Sequence, residues 1–413
     1  MVPVLTHAEQ IVSVKLKNYI GNSSSMTLKA EGDYLSLSPT FQLKKGVTYQ
    51  LSVESGKFIL SGNGETVSFE GAFAFYPKEY DSDHLLFIND RPYMGAMEFT
   101  IEDQQYIRPV NHLYLEDYLK GVVPFEVYPS WEMETLKAQS LAARTYAITH
   151  LNQDQMMNDT VQFQAYGGYI DFEKTKQAVE ETKGQIITYD GRPIGAFYSA
   201  SNGGITENNA NVWGGKALRY FPIQKDPYDP VLPWEFTLHQ TQINIEDINW
   251  DVENIWDQLQ EKDEKITSNM KRWLKRKGVF GDIKILSIPR FTMSSERNES
   301  GRALKGSISI VYMQRMFDGM ILLGQKTLKN VPMSHIRPMI GGTIFKSYLI
   351  DSLEKENGVY VMKGRGFGHG VGMSQWGANG MAEEGKTYRE IIDYYYPGTS
   401  ITNINERQDL LKP

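Results

Sequence analysis

"GVVPFEVYPSWEMETLKAQSLAARTYAITHL", residues 121–151, joins a short apolar run to an alanine-rich segment. In its second half Met133, Leu136, Ala143, Ala147 and Leu151 recur at helical spacing. Glu132 and Glu134 stand in the first turn, where the helix dipole favours negative charge, and Ser130 is placed to cap it. The small residues of AQSLAARTYA let another backbone approach closely, so the spacing predicts a buried central helix over about 131–151. Just ahead of it Glu126 lies among Val, Pro, Phe and Tyr. Apolar neighbours strip a carboxylate of water and raise its pKa, which suits a general acid. The alternative reading is a polar residue at a strand-to-helix joint that takes one backbone hydrogen bond.

Working outward, "LYLEDYLKG" reads as a helix closed by Gly121. From about 10 to 108, short alternating segments such as VSVKLKNYI, TYQLSVES and TVSFEGAFAFY are separated by Gly, Asn and Ser turns, the signature of a β-rich region. Downstream, "QIITYDGRPIGAFYS" predicts a β-hairpin turned at Asp190-Gly191, with Pro193 confining its strand to an edge. The stretch 234–285 reads as helical and charged, with IEDINWDVENIWDQLQ as its clearest period. Strands return at GSISIVYM, GMILLG and GVYVMKG. In "TYREIIDYYYPG" Thr387 and Glu390 form a capping box, and Pro397-Gly398 ends the helix. The expected fold class is α+β: a β-rich region over 1–90, a mixed core over 91–401 with a helical, charged insertion at about 234–330, and a tail at 402–413.

Composition narrows the function. The formal net charge is −7 and the chain has no cysteine, which removes disulfides, thiol catalysis and thiolate zinc ligands. An acidic chain lacks the cationic surface by which proteins neutralise phosphates, so nucleic acid is not an expected partner. The basic run "KRWLKRK", 271–277, reads as a solvated helix face. No apolar run is long enough to cross a bilayer. The opening "MVPVLTHAEQ" carries no signal-peptide pattern, which leaves export in mature form open.

Two glycine-bearing stretches carry polar side chains. "GRGFGHGVGMSQWGANG", 364–380, has seven glycines in seventeen residues, yet no register gives a nucleotide-binding spacing. Its backbone lets a bulky polymer come close, with Arg365, His369, Ser374 and Gln375 among the glycines; the alternative is a loop with a structural histidine. "YSASNGGITENNANVWGG", 198–215, offers hydroxyls, amides and a Trp, the equipment of a carbohydrate site and also of a long surface loop. The seven histidines form no His-x-x-x-His pair, so metal catalysis has little support.

Taken in order, "NHLYLEDYLKGVVPFEVYPSWEMETLKAQSLAARTYA", "FYSASNGGITENNANVWGGKALRYFPIQKDPYD" and "GRGFGHGVGMSQWGANGMAEEGKTYREIIDYYYPG" resemble the SpoIID/LytB family of bacterial cell-wall proteins. The likeness is strongest over about 91–234 and 331–401, with "SGRALKGSISI" a weaker echo. It implies a lytic transglycosylase that cuts peptidoglycan between N-acetylmuramic acid and N-acetylglucosamine and leaves a 1,6-anhydro sugar. Glu126 falls on the family's catalytic glutamate and would act as both acid and base. The resemblance further implies that Ser199, Ser201, Asn202 and Thr206, with Arg365, His369, Ser374 and Gln375, line the glycan groove. Arg144 and Tyr146 match the family's AART pattern and would support the site.

Some members of the family carry a Cys/His zinc cluster where this chain has NQDQMMNDTVQFQAYGGYI, so neither metal nor other cofactor is expected. Tyr198 stands where SpoIID proteins often have His. The LytB branch supplies a different expectation: an enhancer that stimulates a peptidoglycan amidase, with the β-rich region as a wall- or partner-binding module. A third reading is a hydrolase that pairs Glu126 with Asp226 or Asp229. The expected location is extracytoplasmic, in the wall or released, since no anchor is visible. The site is expected where the three segments converge, with Glu126 at the end of a strand.

Overall fold

Residues 10–160 and 162–411 are described in the computed structural model. The opening segment 1–9, in which no export signal is read, and the last two residues of the tail lie outside them. Helices and sheets are mixed, as the α+β reading requires. The chain forms two compact units, unit 1 from 1–197 with 381–413 and unit 2 from 198–380.

In unit 1 the alternation of the sequence becomes two antiparallel-dominated sheets. Strand Ser25–Glu31 buries Met26, Leu28 and Ala30 and turns Thr27 and Lys29 outward, the period-2 pattern of a half-buried strand. It lies inside a six-stranded sheet ordered Arg91–Met94, Leu85–Ile88, Ser25–Glu31, Thr48–Glu54, Lys57–Gly62, Glu65–Phe69. A seven-stranded sheet carries Tyr106–Tyr114 between Ile11–Lys15 and Ala96–Glu102, antiparallel to both. Val12, Val14, Leu28, Tyr34, Phe58, Phe69, Phe75 and Phe99 fill one core.

Strand Tyr106–Tyr114 runs straight into helix α1, Leu115–Lys120, closed at Gly121, and then into the four-residue helix α2, Val123–Glu126. Pro124 sits in the first turn of α2, where its missing N–H costs no hydrogen bond. Glu126 therefore ends a helix rather than a strand. Helix α3, Met133–Leu151, is buried along most of its length. Its N-cap is Glu132 with no side-chain cap bond, so Ser130 does not cap it. Helix α4, Glu173–Glu181, follows.

Helix α3 packs on the predicted hairpin. Gln185–Tyr189 pairs with Arg192–Pro193 through Asp190 (φ +49°) and Gly191 (φ +72°), the two left-handed residues of a type I′ turn. Thr145 Oγ1 accepts the N–H of Ile187 at 2.9 Å, and Thr149 Oγ1 donates to the carbonyl of Ile194 at 3.0 Å. Pro193 lies on the edge strand, and Ser400–Asn403 pairs on the other side of Gln185–Tyr189.

Unit 2 holds a parallel pair, Tyr198–Ser199 with Met373–Ser374, and two three-stranded antiparallel sheets. One is Pro233–His239, Val359–Arg365 and Leu349–Glu356; the other is Asp282–Met293, Lys305–Arg315 and Ile321–Pro332. Its helices are α5 (Asn209–Trp213), α6 (Ile255–Gln258), α7 (Glu264–Arg276) and α8 (Met333–Ile340), and α9 (Gln375–Glu383) begins in unit 2 and ends in unit 1. Trp234, Phe236, Met270, Ile285, Ile308, Ile310, Ile336 and Phe345 form its core.

The helical reading of 234–285 holds for α7 and the single turn of α6, while Pro233–His239 and the start of Asp282–Met293 are strands. Within IEDINWDVENIWDQLQ the helix is broken by local polar turns. Asn249 Oδ1 accepts the N–H of Asp251 at 3.1 Å, and Asn254 takes φ +57°, conformations that compete with helix. Back in unit 1, helix α10, Tyr388–Tyr395, begins with the expected Thr387/Glu390 capping box.

Candidate functional site

In unit 1 the environment of Glu126 is set by a segment that lies flush on α1 and α2. The N–H of Gly167 donates to the carbonyl of Gly121 at 3.0 Å. A Cβ on Gly167 would collide with the Phe125 ring, and one on Gly121 would stand 2.6 Å from the Tyr166 ring. Only glycine permits this approach. It brings the N–H of Ala165 within 2.6 Å of Glu126 Oε1, so the half-buried carboxylate is oriented by a fixed backbone donor.

Two phenols share this neighbourhood. Tyr146 is pushed up to about 12 by burial and then by the charge of Glu126. Tyr118, fully buried, is raised well above its ordinary value by burial and then by the charge of Glu126, and its hydroxyl donates to Gln164 Oε1 at 3.1 Å. Both remain protonated at any physiological pH. The Tyr146 ring lies 4.1 Å from that of His150 and 6.2 Å from that of Phe197.

Arg144, two residues before Tyr146 on α3, is wholly buried and makes a two-pronged contact with Glu116, Nε to Oε1 at 2.9 Å and Nη2 to Oε2 at 2.7 Å. It also donates to the carbonyls of Val179 and Gln185. Its contacts tie α3 to α1, α4 and the hairpin.

The loop residues belong to unit 2, where Asp229 gathers them. Its Oδ1 accepts from Ser201 Oγ at 2.8 Å and from the N–H of Val231 at 2.7 Å; its Oδ2 accepts from the N–H of Asn202 at 2.9 Å and from Ser374 Oγ at 2.6 Å. The carboxylate's acceptor sites are filled, which removes Asp229 as a base for water. Asn202 Nδ2 reaches Asp226 Oδ2 at 2.6 Å. Thr206 Oγ1 donates to the carbonyl of Pro222 at 2.7 Å, and Ser199 Oγ accepts the N–H of Gly370 at 3.2 Å. Ser199, Ser201, Asn202, Thr206, Ser374 and Gln375 are all buried.

Arg365 and His369 reach the surface more. Arg365 pairs with Asp351 and is 39% exposed. His369, half-buried, accepts the N–H of Val371 on Nδ1 at 3.0 Å. Burial, and then the charge of Arg302, push its pKa down to about 4, so the ring is neutral. Beside it, 5.1 Å between ring centres, stands Trp213, 51% exposed at the end of α5.

Sequence reasoning missed Glu207 and Arg302. Glu207, with no exposed surface, accepts from Asn211 Nδ2, Asn298 Nδ2 and Ser300 Oγ. Arg302 Nη2 donates to the carbonyls of Asn202 and Ile205, and a Cβ on Gly370 would collide with it. Arg302 thus underlies both glycine-bearing loops. The weak echo SGRALKGSISI was the signal that contained it.

Among the described residues, Glu79, Asp81 and His84 in unit 1 are one group whose ligand atoms all lie within 4.8 Å of one another. His84 Nδ1 stands 2.7 Å from Asp81 Oδ1, so this contact already uses one candidate ligand atom from each.

Residues 103–189, which contain Glu126 and the segment that holds it, match the family model described as SpoIID, Stage II sporulation protein. The chain is 38% identical over 390 residues to the amidase enhancer of Bacillus subtilis (strain 168), a match that covers 94% of this chain and 54% of that relative. It therefore spans about half the length of that protein. It is 30% identical to an uncharacterized protein of Brachyspira hyodysenteriae, with 79% of this chain and 76% of the relative covered. To the Stage II sporulation protein D of Bacillus subtilis it is 29% identical, covering 71% and 76%. Through these matches and the segments that carry them, the chain belongs to the SpoIID/LytB family.

Proposed function

We propose that the protein acts on peptidoglycan glycan strands as a lytic transglycosylase, with Glu126 as its single acid/base. The observation that carries this is the half-buried carboxylate of Glu126, oriented by the Ala165 N–H and flanked by two phenols that stay protonated. As acid, Glu126 gives its proton to the glycosidic oxygen that leaves with N-acetylglucosamine. As base, it takes the proton of the muramic acid C6 hydroxyl, whose oxygen closes the 1,6-anhydro ring on the anomeric carbon. Proton count balances within one carboxyl group, and no second carboxylate is needed.

The loop residues divide by exposure. In this reading Arg365, His369 and the ring of Trp213 touch sugar, hydrogen bonds to its hydroxyls and acetamido groups supplementing an apolar face. Ser199, Ser201, Asn202, Thr206, Ser374 and Gln375 act by holding the backbone that presents them. Arg144 and Tyr146 support the Glu126 neighbourhood. In this reading the protein works outside the cytoplasm, on the wall.

A second reading is stimulation of a peptidoglycan amidase, favoured by the name of the Bacillus subtilis relative, amidase enhancer. One experiment separates the two. Purified glycan strands, with and without stem peptides, are digested by wild type and Glu126→Gln and the products weighed by mass spectrometry. Anhydro-muramic ends from wild type alone support the transglycosylase. Intact strands, together with faster release of stem peptides by an added amidase, support the enhancer. Cleavage by Glu126→Gln at the wild-type rate removes Glu126 from the chemistry.

A further inference from the structure

The structure leaves one apolar surface in unit 2 that the glycan chemistry does not use. Strands Lys305–Arg315 and Ile321–Pro332 meet in a tight hairpin, closed by the N–H of Met316 on the carbonyl of Met320 at 2.8 Å and by the N–H of Met320 on Asp318 Oδ1 at 3.0 Å. At its tip Phe317 is 98% exposed, Met320 52% and Leu323 69%. Phe280 adds a further ring, 70% exposed, two residues before Asp282, which pairs with Arg315 at the same end of the sheet. Isolated exposed apolar residues are ordinary, but Phe, Met and Leu gathered on one projecting turn mark a contact surface.

The charges around this tip indicate what it meets. Lys275, Arg276 and Lys277, at the end of α7 and immediately before Phe280, are all exposed. The acidic residues Asp257 and Asp282 at that end are both engaged by Arg315, at 3.1 and 3.6 Å. Asp318 is turned back onto its own hairpin. Four cations, Lys275, Arg276, Lys277 and Arg315, stand against these three carboxylates, so the base of the apolar tip carries a small cationic excess. An exposed apolar turn with basic residues beside it is suited to the boundary of a bilayer that carries anionic headgroups. The last three residues of the basic run KRWLKRK, which no part of the glycan chemistry employs, supply most of that excess.

We propose that the 315–323 hairpin tip, with Phe280 and the Lys275–Lys277 run, docks unit 2 onto an anionic membrane surface. Phe317, Met320 and Leu323 enter the headgroup boundary while the three cations neutralise lipid phosphate.

The full chain is tested by flotation with vesicles of phosphatidylglycerol and phosphatidylcholine, and with phosphatidylcholine alone. Wild type is expected to float with the anionic vesicles only, and less at high salt. Phe317→Ser with Leu323→Ser, and separately Lys275→Glu with Arg276→Glu and Lys277→Glu, should each lower the bound fraction by roughly tenfold or more. These positions are exposed, and unchanged thermal melting of each variant shows that it has folded. Wild type that stays down with anionic vesicles, variants that float like wild type, or equal binding to phosphatidylcholine alone overturns the proposal. So does self-association of wild type without vesicles that the Phe317/Leu323 variant loses, because the tip is then a contact between two copies.

Discussion

Ala165 holds Glu126: the backbone N–H of one donates to Oε1 of the other at 2.6 Å. The donor comes from a segment that two glycines allow to lie against α1 and α2, so the orientation of the carboxylate is built into the backbone. Glu126→Gln keeps an acceptor oxygen for that N–H while removing the exchangeable proton. The variant should melt within about 1 kcal/mol of wild type, while glycan cleavage falls by about 10²- to 10⁴-fold. Calorimetry paired with a rate assay on purified strands checks both halves.

Asp229 should behave as a structural hub. Asp229→Asn turns one acceptor oxygen into a donor facing Ser201 and Val231, or Asn202 and Ser374. Leaving buried donors opposed costs about 2–4 kcal/mol, readable in a urea titration. A loss below 0.5 kcal/mol would mean that the four bonds are not holding the loop.

His369 makes a pH-dependent contribution. Its folded pKa, about 4, lies below the ordinary 6.5, so as pH falls the unfolded chain takes up the proton first. Stability from this group is complete above about pH 6.5 and declines until about pH 4, where both states are protonated. Between pH 7 and 4.5 wild type should lose about 1–3 kcal/mol more than His369→Asn, whose side-chain oxygen can still accept the Val371 N–H. Parallel denaturation curves for the two proteins at both pH values provide the measurement.

Arg144 is predicted to be structural in its energetics. Arg144→Met leaves Glu116 without its buried partner and should cost about 3–5 kcal/mol. The double variant with Glu116→Gln should recover part of that loss, giving a coupling energy of about 1–3 kcal/mol in a double-mutant cycle. Additive losses would show that the pair does not act as a unit.

Features governed by adjacent residues were legible in the sequence. Asp190-Gly191 fixed a hairpin, Thr387 and Glu390 a capping box, and the apolar spacing of 133–151 a central helix. Each depends on neighbours within a few positions. Reading failed where a local choice was decided from elsewhere. Ser130 has the right side chain for a cap, yet α3 begins beyond its reach. Glu126 looked like a strand terminus because Val and Phe suit strands, but Pro124 fits the first turn of a helix equally well. The 245–259 stretch has helical spacing, and its asparagines instead take turns. The resemblance set Ser201, Asn202 and Ser374 in the glycan groove, while residue codes alone gave no sign that Ser201 Oγ, Ser374 Oγ and the Asn202 N–H meet at Asp229 and that Asn202 Nδ2 goes to Asp226. Arg302 came into view only within the echo SGRALKGSISI, since most of its partners are backbone carbonyls that no residue code records.

The chain leaves unit 1 after Phe197 and returns to it at Met381, which has a consequence for biosynthesis. Unit 2 is one contiguous stretch, so all of it has emerged before the chain returns to unit 1. Unit 1 must wait, because the strand Ser400–Asn403 that completes the sheet of Gln185–Tyr189 is made after the whole of unit 2. A ribosome that stops short of residue 400 releases a finished guest within an unfinished host, and the half carrying Glu126 is then the half left open.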